Sequence, residues 1–418
     1  MRILLVSPYF PPEVGSAAHL YEDLGLGLMA RGHEVAVLTG LPRYHVADPA
    51  FKARGRPFRR ERHRGLLVFR AFNFEIPWDV PLLRGLDQFF SAFCAAFWGA
   101  ALPPFDVALV YSPPLPLALA MWGLCRLRRR PLVVNVQDLF PQSAIDLGLV
   151  RHPLLIRLFR LLEAFLYRQA QGLMVHSEGN RQHLRAQGVA PGKIGVVPNW
   201  VDTEAIKPGP RQNLLRQKLG LNQRFIVSFA GVMGYSQGLE TVLESAALLR
   251  EKPNILFLLV GDGVKKPRLE KLAREHRLQN VRFLPMQSRE AYLQVLAASD
   301  LCLVTLRGKV RTPVVPSKIL SIMAAARPVL ASLPLEGDAP RLIAAADCGV
   351  CLPPGDPQAL TEAILGLYAD AARREQLGAN GRTFAQRHLS LPASVAQVEA
   401  LCDQARGLAS GRRRTPAA

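Results

Sequence analysis

ILLVSPYFPPEVGSAAHLYEDLGLGLMARGHEVAVLTG, residues 3–40, reads as one complete strand, crossover helix and parallel strand. Residues 3–7 are a short apolar run, and the loop behind them carries Pro8, Pro11, Pro12 and Gly15. An apolar pattern of helical period spans 18–31, Gly32 and His33 close it, and 34–39 is the next apolar strand. A βαβ unit of this kind commits the chain to a parallel sheet with helices on its faces. Outward from it, 107–111, 132–136, 173–176 and 194–197 read as further buried parallel strands. After Pro208 the same grammar restarts: strand 225–230, a loop 231–238 bearing Gly231, Gly234 and Gly238, and helix 239–250. Strands 256–260, 281–284, 301–305 and 329–331 then alternate with helices 266–276, 289–298 and 317–326.

The α/β class follows, as two Rossmann-like doubly wound parallel-sheet domains, 1–200 and 201–388, with the linker between 199 and 210. Val395, Val398, Leu401 and Cys402 share one helix face, so residues 389–410 are expected to form a last helix that crosses back onto the amino domain. A chain of 418 residues is long enough for two cores. In open parallel sheets ligands sit beyond the carboxyl ends of the strands, so two such domains are expected to face a shared cleft.

With 52 Lys and Arg against 33 Asp and Glu, the net charge of +19 predicts attraction to an anion: nucleotide, nucleic acid or acidic membrane. Residues 52–70 hold eight basic residues against one acid, Glu61, and 126–130 add four more; a merely solvated face is the plain alternative. The first strand runs straight into Pro8, so no apolar core of signal-peptide length precedes it, and a cytoplasmic chain is expected. The longest apolar stretch, 89–102, falls short of the roughly 20 residues a spanning helix needs; it lies on a membrane or sits in a core. Of six cysteines only Cys348 and Cys351 have a two-residue spacer, and no second pair completes a zinc site. Residues 411–418 read as a loose tail.

Longer matches carry more than the glycines do. PYFPPEVGSAAHLYEDLGLGLMARGHEVAVLTG (8–40), HSEGNRQHLRAQGVAPGKIGVVPNWVDTEAIKP (176–208), FAGVMGYSQGLETVLESA (229–246), VGDG (260–263), RFLPMQSREAYLQVLAASD (282–300), VPSKILSIMAAARPVLAS (315–332) and GVCLPPGDPQALTEAI (349–364) follow one another in order. Over residues 1–389 the chain thereby resembles the retaining glycosyltransferases of the GT-B class usually called family 4. QDLFPQSAIDLG (137–148), GYSQG (234–238) and the Pro316-Ser317-Lys318 triplet look closest to bacterial enzymes of capsule, O-antigen and colanic-acid assembly, including transferases of N-acetylated amino sugars such as fucosamine. The resemblance implies a nucleotide-sugar donor, UDP-linked, in the carboxyl domain, and a lipid-linked saccharide acceptor in the amino domain.

It also implies site residues. Donor binding would fall to Gly231, Gly234, Gln237, Gly238, Pro285, Arg311, Ser317, Lys318 and Ser321, and the acceptor or phosphate loop to Gly15 and Ser16. Three departures stand out. Many relatives have a basic residue where this chain has Gln237, so one phosphate cation looks absent; two glutamates are replaced by Pro313 and Ser321; and the histidine before the aspartate of the amino-domain loop is Gln137, leaving Asp138. The chemistry that remains is coherent. A departing nucleoside diphosphate gathers negative charge, and a fixed cation is worth more in that transition state than before it. Lys318, near a helix start, is placed to be that cation, with Arg311 a second candidate; Asp138 would orient the acceptor or move its proton. No Asp-x-Asp pair stands at a strand end, so protein cations and helix dipoles, with no metal or other cofactor, are expected to do this work.

Residues 154–170, apolar but broken by Arg157, Arg160 and Arg168, read as an amphipathic membrane-surface helix or as a buried domain helix. With the basic run and the Phe-rich stretch they point to peripheral attachment at an anionic membrane, within reach of a polyprenyl-diphosphate-linked acceptor. Two rival readings remain: a nucleotide-sugar 2-epimerase on the same architecture, and a basic nucleic-acid-binding protein. The second lacks any RNA-binding motif with interleaved aromatics or any recognition helix in the basic run, so nucleic acid is not expected as a partner.

Overall fold

The computed structural model of the chain describes residues 1–13, 15–42, 58–73, 81–308 and 313–411. They form two compact units, Met1–Asn199 with Leu391–Ala418, and Trp200–Ser390. The first unit runs β1 (Arg2–Val6), α1 (Ser16–Ala30), β2 (Glu34–Gly40), β3 (Phe58–His63), β4 (Leu66–Ala71), α2 (Pro81–Gly99), β5 (Val107–Ser112), α3 (Leu115–Leu127), β6 (Leu132–Val136), α4 (Gln142–Asp146), α5 (Pro153–Gln169), β7 (Gly172–Val175), α6 (Glu178–Ala186) and β8 (Ile194–Val196). The second runs α7 (Leu214–Leu219), β9 (Phe225–Ala230), α8 (Glu240–Leu248), β10 (Ile255–Val260), α9 (Lys266–Glu275), β11 (Val281–Leu284), α10 (Arg289–Ala298), β12 (Leu301–Thr305), α11 (Ser317–Ala324), β13 (Val329–Ser332), α12 (Asp338–Ala345), β14 (Gly349–Leu352), α13 (Pro357–Ala369) and α14 (Ala371–His388). A final helix, α15 (Leu391–Gly411), returns to the first unit.

The first sheet has the order β3-β4-β2-β1-β5-β6-β7-β8, and the strand order reverses between β1 and β5. Its central strands are buried on both faces, which is why they read as continuous apolar runs. Alternate residues serve opposite layers. Leu132 and Val134 share a core with α2, α3 and α5, while Val133 lies on the other face beside Leu401 of α15. Small residues let α15 come close: Val395 packs against Gly27, and Leu401 lies over Gly172 and Gly195. Glu399 accepts from Arg31 at 2.6 Å and pairs with His33 at 2.8 Å.

One feature departs from the all-parallel reading of this unit. Part of the basic run is an antiparallel hairpin, β3 on β4, with His63 opposite Leu66. Its two turn residues, Arg64 and Gly65, have φ of 49° and 92°, the left-handed pair that a tight right-twisted hairpin needs. Alternating charge on β3 hid the strand, because this edge buries little. The fully buried Arg70 joins the hairpin to the sheet edge, donating to Glu61 Oε1 at 2.7 Å and to the carbonyls of Gly40 and Pro11.

The second sheet is parallel throughout, in the order β11-β10-β9-β12-β13-β14, reversing between β9 and β12. Beneath it lies a buried ion pair. Arg216 Nη2 meets Asp300 Oδ2 at 2.5 Å, its Nε and Nη1 donate to the carbonyls of Ala298 and Arg224, and the same carboxylate oxygen accepts from the Ile226 N–H at 2.8 Å. One charge cluster therefore ties α7, the end of α10 and the starts of β9 and β12. Cys348 and Cys351 are free thiols, Cys351 within β14, and burial raises them to about 12 and about 11. Apart from Gly411, which ends α15, the stretch read as a loose tail lies outside the described residues.

Removing one member of a buried pair strands the other charge, which costs about 3–5 kcal/mol. Asp300→Ala should destabilise the second unit by that order in urea unfolding, and a change under about 1 kcal/mol would show that Arg216 finds adequate partners without it.

Candidate functional site

At the carboxyl ends of β9, β10 and β12 the glycines of the second unit meet a half-buried lysine. Gly231 ends β9 with φ +139°, and a Cβ there would stand 2.5 Å from Lys318 Cε. Gly261, after β10, also has positive φ, and any Cβ on it would overlap the Gly231 carbonyl. Gly261 thus requires glycine twice over, by backbone conformation and by crowding against backbone, while Gly231 requires it by conformation and would otherwise displace the tip of Lys318. The loop 231–238 is fixed to its neighbour by the Met233 N–H on the Asp262 carbonyl at 2.7 Å.

Lys318 is the second residue of α11, whose amino end has Pro316 as its cap and no side-chain cap bond. First-turn N–H groups and the helix dipole make such an end receptive to an anion. The lysine reaches back under the loop, where Nζ donates to Gln237 Oε1 at 2.9 Å and stands 3.8 Å from the centroid of the Phe229 ring. Burial disfavours its charged form and lowers its pKa to about 7. Among the residues expected from sequence, the structure brings together Gly231, Gln237, Gly238, Ser317 and Lys318 around this loop. At Gly234 a Cβ would meet only Val232 Cγ1, at an ordinary contact distance of 3.9 Å. Ser321 stands one turn along α11 with its hydroxyl bonded to the Tyr292 phenol, and Pro285 is exposed beyond the edge strand β11, two strands from β9. Arg311 lies outside the described residues.

Two cations from other segments lie beside the loop in which Gln237 stands in place of a basic residue. Arg307, two positions past β12, lays its Cγ over Gly238 and its guanidinium on Glu240 Oε1 at 2.8 Å. Lys265 places its ammonium 5.0 Å from the Tyr235 ring. The signal available in sequence was position: Arg307 follows the strand at which the sheet order reverses.

In the first unit the corresponding edge is the ends of β1, β5 and β6. Gly15 precedes α1 in extended backbone, and among the described residues nothing lies within 4 Å of where a Cβ would be. Among the described residues, neither strain nor crowding requires a glycine there. Ser16 opens α1. Asp138 sits two residues past β6 and is exposed; the cap position of α4 belongs to Pro141, so Asp138 is not that helix's cap. Its neighbour Gln137 pairs both amide ends with Asn199, at 3.0 and 3.1 Å. Behind them His176, held near 4 chiefly by burial, is bound to the Val197 carbonyl at 2.8 Å and to Asn135 at 2.7 Å, and Asn135 reaches the Tyr21 hydroxyl at 3.2 Å. The carbonyl can only accept, so Nδ1 carries the proton; the neutral ring's Nε2 then accepts from the Asn135 amide, which takes the Tyr21 proton on its oxygen. Periodicity could not reveal this chain, since Asn135 and His176 interrupt apolar strands.

Two helices of this unit expose apolar ridges. On α2, Ala92 and Ala95 face the core while Leu86, Phe89, Phe90, Phe93 and Phe97 are exposed, Phe93 by 65%. On α5, Leu154, Leu155, Leu158 and Leu161 are exposed beside Arg157 and Arg160, while Leu166 and Tyr167 are buried. Each of the two stretches presents one side to the core and leaves apolar residues exposed on the other. Basic residues adjoin α2: Phe58 of β3, the strand carrying exposed Arg60 and Arg62, stacks on Trp98 at 4.7 Å, and Arg128 donates to the Leu102 carbonyl. Between the sheet and α2 lies a small apolar cavity lined by Leu38, Phe72, Ala92, Ala95, Pro114 and Leu117. Among the described residues no helix is long and apolar enough to cross a membrane, and no group of three or more His, Cys, Asp or Glu could hold a metal.

Comparison with known proteins adds to this geometry. The profile described as glycosyl transferase 4-like domain matches residues 15–200, and that of glycosyl transferases group 1 matches 211–384. WcaI of Escherichia coli K12, a glycosyl transferase named for colanic acid biosynthesis, is 27% identical over 338 residues, 78% of this chain and 81% of that protein. WbjE of Pseudomonas aeruginosa, named as a glycosyltransferase, is 28% identical over 382 residues, 87% and 88% of the two chains. The solved structure of Anabaena Alr3699/HepE with UDP and glucose superposes with a TM-score of 0.73 at 20% identity, covering 96% of this chain and 99% of that one.

The buried ammonium has a measurable signature. The cost of burying a charged Lys318 is fully present below pH 7 and is relieved as pH rises from there toward the model-peptide value of 10.5. Lys318→Met should therefore raise the melting temperature most at pH 6, and the gain should shrink steadily by pH 10. A gain independent of pH between 6 and 10 would mean that the lysine keeps the same charge folded and unfolded, so that burial does not shift it.

Proposed function

Because the chain belongs to the group 1 glycosyl transferases, with a 4-like amino-terminal domain and the GT-B fold, we propose that it transfers a hexose or N-acetylated amino sugar from a UDP-linked donor to a polyprenyl-diphosphate-linked saccharide. The setting we infer is bacterial surface polysaccharide assembly, supported by the naming of WcaI for colanic acid. The observation that carries the reading is Lys318, half-buried at the amino end of α11 against a loop that only glycine can close. In this reading the diphosphate lies on the loop 231–238 and the first turn of α11; HepE, of the same fold, was solved with UDP. As the bond from the anomeric carbon to the β-phosphate oxygen breaks, Lys318 and the helix end stabilise the charge left on that oxygen, without a metal ion. The acceptor oxygen bonds to the same face of the anomeric carbon and its proton passes to the leaving phosphate, so configuration is retained without a carboxylate nucleophile. Asp138 then orients the acceptor hydroxyl, with Gly15 and Ser16 giving the acceptor's phosphate or sugar close access to backbone.

We further infer that the first unit attaches peripherally to the cytoplasmic face of an anionic membrane. Exposed Phe and Leu on α2 and α5, with Arg60, Arg62 and Arg157 beside them, combine apolar insertion with attraction to anionic headgroups. The apolar cavity beside α2 is of a chemistry suited to the first carbons of a lipid carrier.

Lys318→Met should lower kcat by a factor on the order of a hundred or more while donor affinity falls less, the pattern of a lost transition-state contact. At pH 8 a lysine held near 7 is roughly nine-tenths neutral. UDP binding should then take up close to one proton, read by calorimetry in buffers of different ionisation enthalpy, and Lys318→Met should take up none. Wild-type turnover in a folded Lys318→Met protein would refute the assignment.

Sedimentation with vesicles rich in phosphatidylglycerol should fall as salt rises, and should fall at low salt in the double variant Phe93→Ser, Phe97→Ser. Equal binding to neutral vesicles at every salt concentration counts against membrane attachment.

A further inference from the structure

Three cations reach the loop 231–238 from three different segments: Lys318 from α11, Lys265 from the turn before α9, and Arg307 from the loop after β12. Arg307 is held differently from the other two. Its backbone N–H donates to the Ser236 carbonyl at 2.8 Å, so its main chain is pinned to the glycine loop. Its Cγ occupies the space that Gly238 leaves by lacking a side chain, 3.1 Å from where a Cβ would be, and Gly238 has φ +63°. The guanidinium therefore emerges at the amino end of α8, at the reversal of strand order between β9 and β12, where doubly wound sheets bind their ligands. There Nη2 donates to Glu240 Oε1 at 2.8 Å, while the Nε–H is buried with no hydrogen-bond partner.

A buried, unpaired N–H on a charged group is uncommon, and its desolvation cost is removed by any acceptor that reaches it. A guanidinium presents five donors in a fixed fork that matches two phosphate oxygens; Glu240 engages one of them. Glu240 lies in the first turn of α8, where the helix dipole favours its negative charge even without the arginine. Gln237, the loop position that lacks a cation, has its oxygen committed to Lys318.

We propose that Arg307 is a diphosphate-binding residue, which supplies from the β12 loop the positive charge that Gln237 does not, and that Glu240 holds it until the diphosphate arrives. The inference rests on the reading of this loop as the seat of a nucleoside diphosphate. On binding, the Arg307 fork turns from one carboxylate oxygen to two phosphate oxygens, and Glu240 remains on its helix end.

Calorimetric titration of the full chain with UDP, GDP and UMP tests it on the wild type and on Arg307→Gln, Arg307→Lys and Glu240→Gln. Arg307→Gln should weaken UDP at least about tenfold and UMP by less, as loss of a charge-assisted contact to the second phosphate requires. Arg307→Lys should recover part of that loss, because an ammonium keeps the charge without the fork. Glu240→Gln should tighten UDP by a few fold, since a competitor for the guanidinium is weakened. UDP binding by Arg307→Gln within twofold of wild type overturns the proposal and leaves the donor reading standing; a wild type that binds neither UDP nor GDP sinks the reading, and the proposal with it. Should Arg307→Gln fail to fold, the other two variants decide. Glu240→Gln weakening UDP tenfold would make the pair a structural strut, against the proposal.

Discussion

The bare α-carbon of Gly231 is the constraint on which the candidate site depends. Any side chain there would drive Lys318 out from under the loop, and any side chain at Gly261 would push the two strand ends apart. Close packing of β9, β10 and α11 in turn buries an ammonium, an expensive arrangement that the Phe229 face and the Gln237 oxygen only partly offset. Evidence of that imbalance is the lysine's lowered proton affinity. A partly desolvated ammonium is held at a cost that an anion placed beside it would relieve.

The same device, backbone brought close by missing side chains, closes the first unit. Gly27, Gly172 and Gly195 let Val395 and Leu401 of α15 settle onto α1 and the sheet, so a segment from the far end of the chain covers a face that the first two hundred residues leave apolar. A parallel sheet needs both faces covered. With α15 on one face, α2, α3 and α5 serve the other, and the aromatic ridge of α2 and the leucines of α5 are left outward on that layer. Exposed patches of this kind in an otherwise well-buried unit are interaction surfaces by default.

Much of this was legible in the chain itself. The βαβ opening, the restart after Pro208, the strand at 225–230 and the helix carrying Lys318 follow from apolar runs of strand and helix length with glycine and proline between them, because parallel strands and their crossover helices bury residues at fixed periods. Hairpin β3-β4 escaped for the converse reason: an edge strand of three arginines and one glutamate between Phe58 and His63 buries too little to leave an apolar trace. Lys318 and the glycines around it were also legible, since small residues at strand ends and a lysine at a helix start are local features.

What sequence alone determined is therefore local: which segments are strands, which are helices, and where loops must be glycine. Pairs of residues far apart in number were decided only by tertiary structure: Arg307 on Glu240, Gln137 on Asn199, His176 on Asn135, and Arg216 on Asp300. Each is polar, each interrupts or lies outside the periodic pattern, and each acquires its meaning from a partner that strand order brings alongside. Periodicity records burial along one segment, whereas a charge or an amide is satisfied by whatever the fold places across from it, and the sheet reversals at β1/β5 and β9/β12 make that choice.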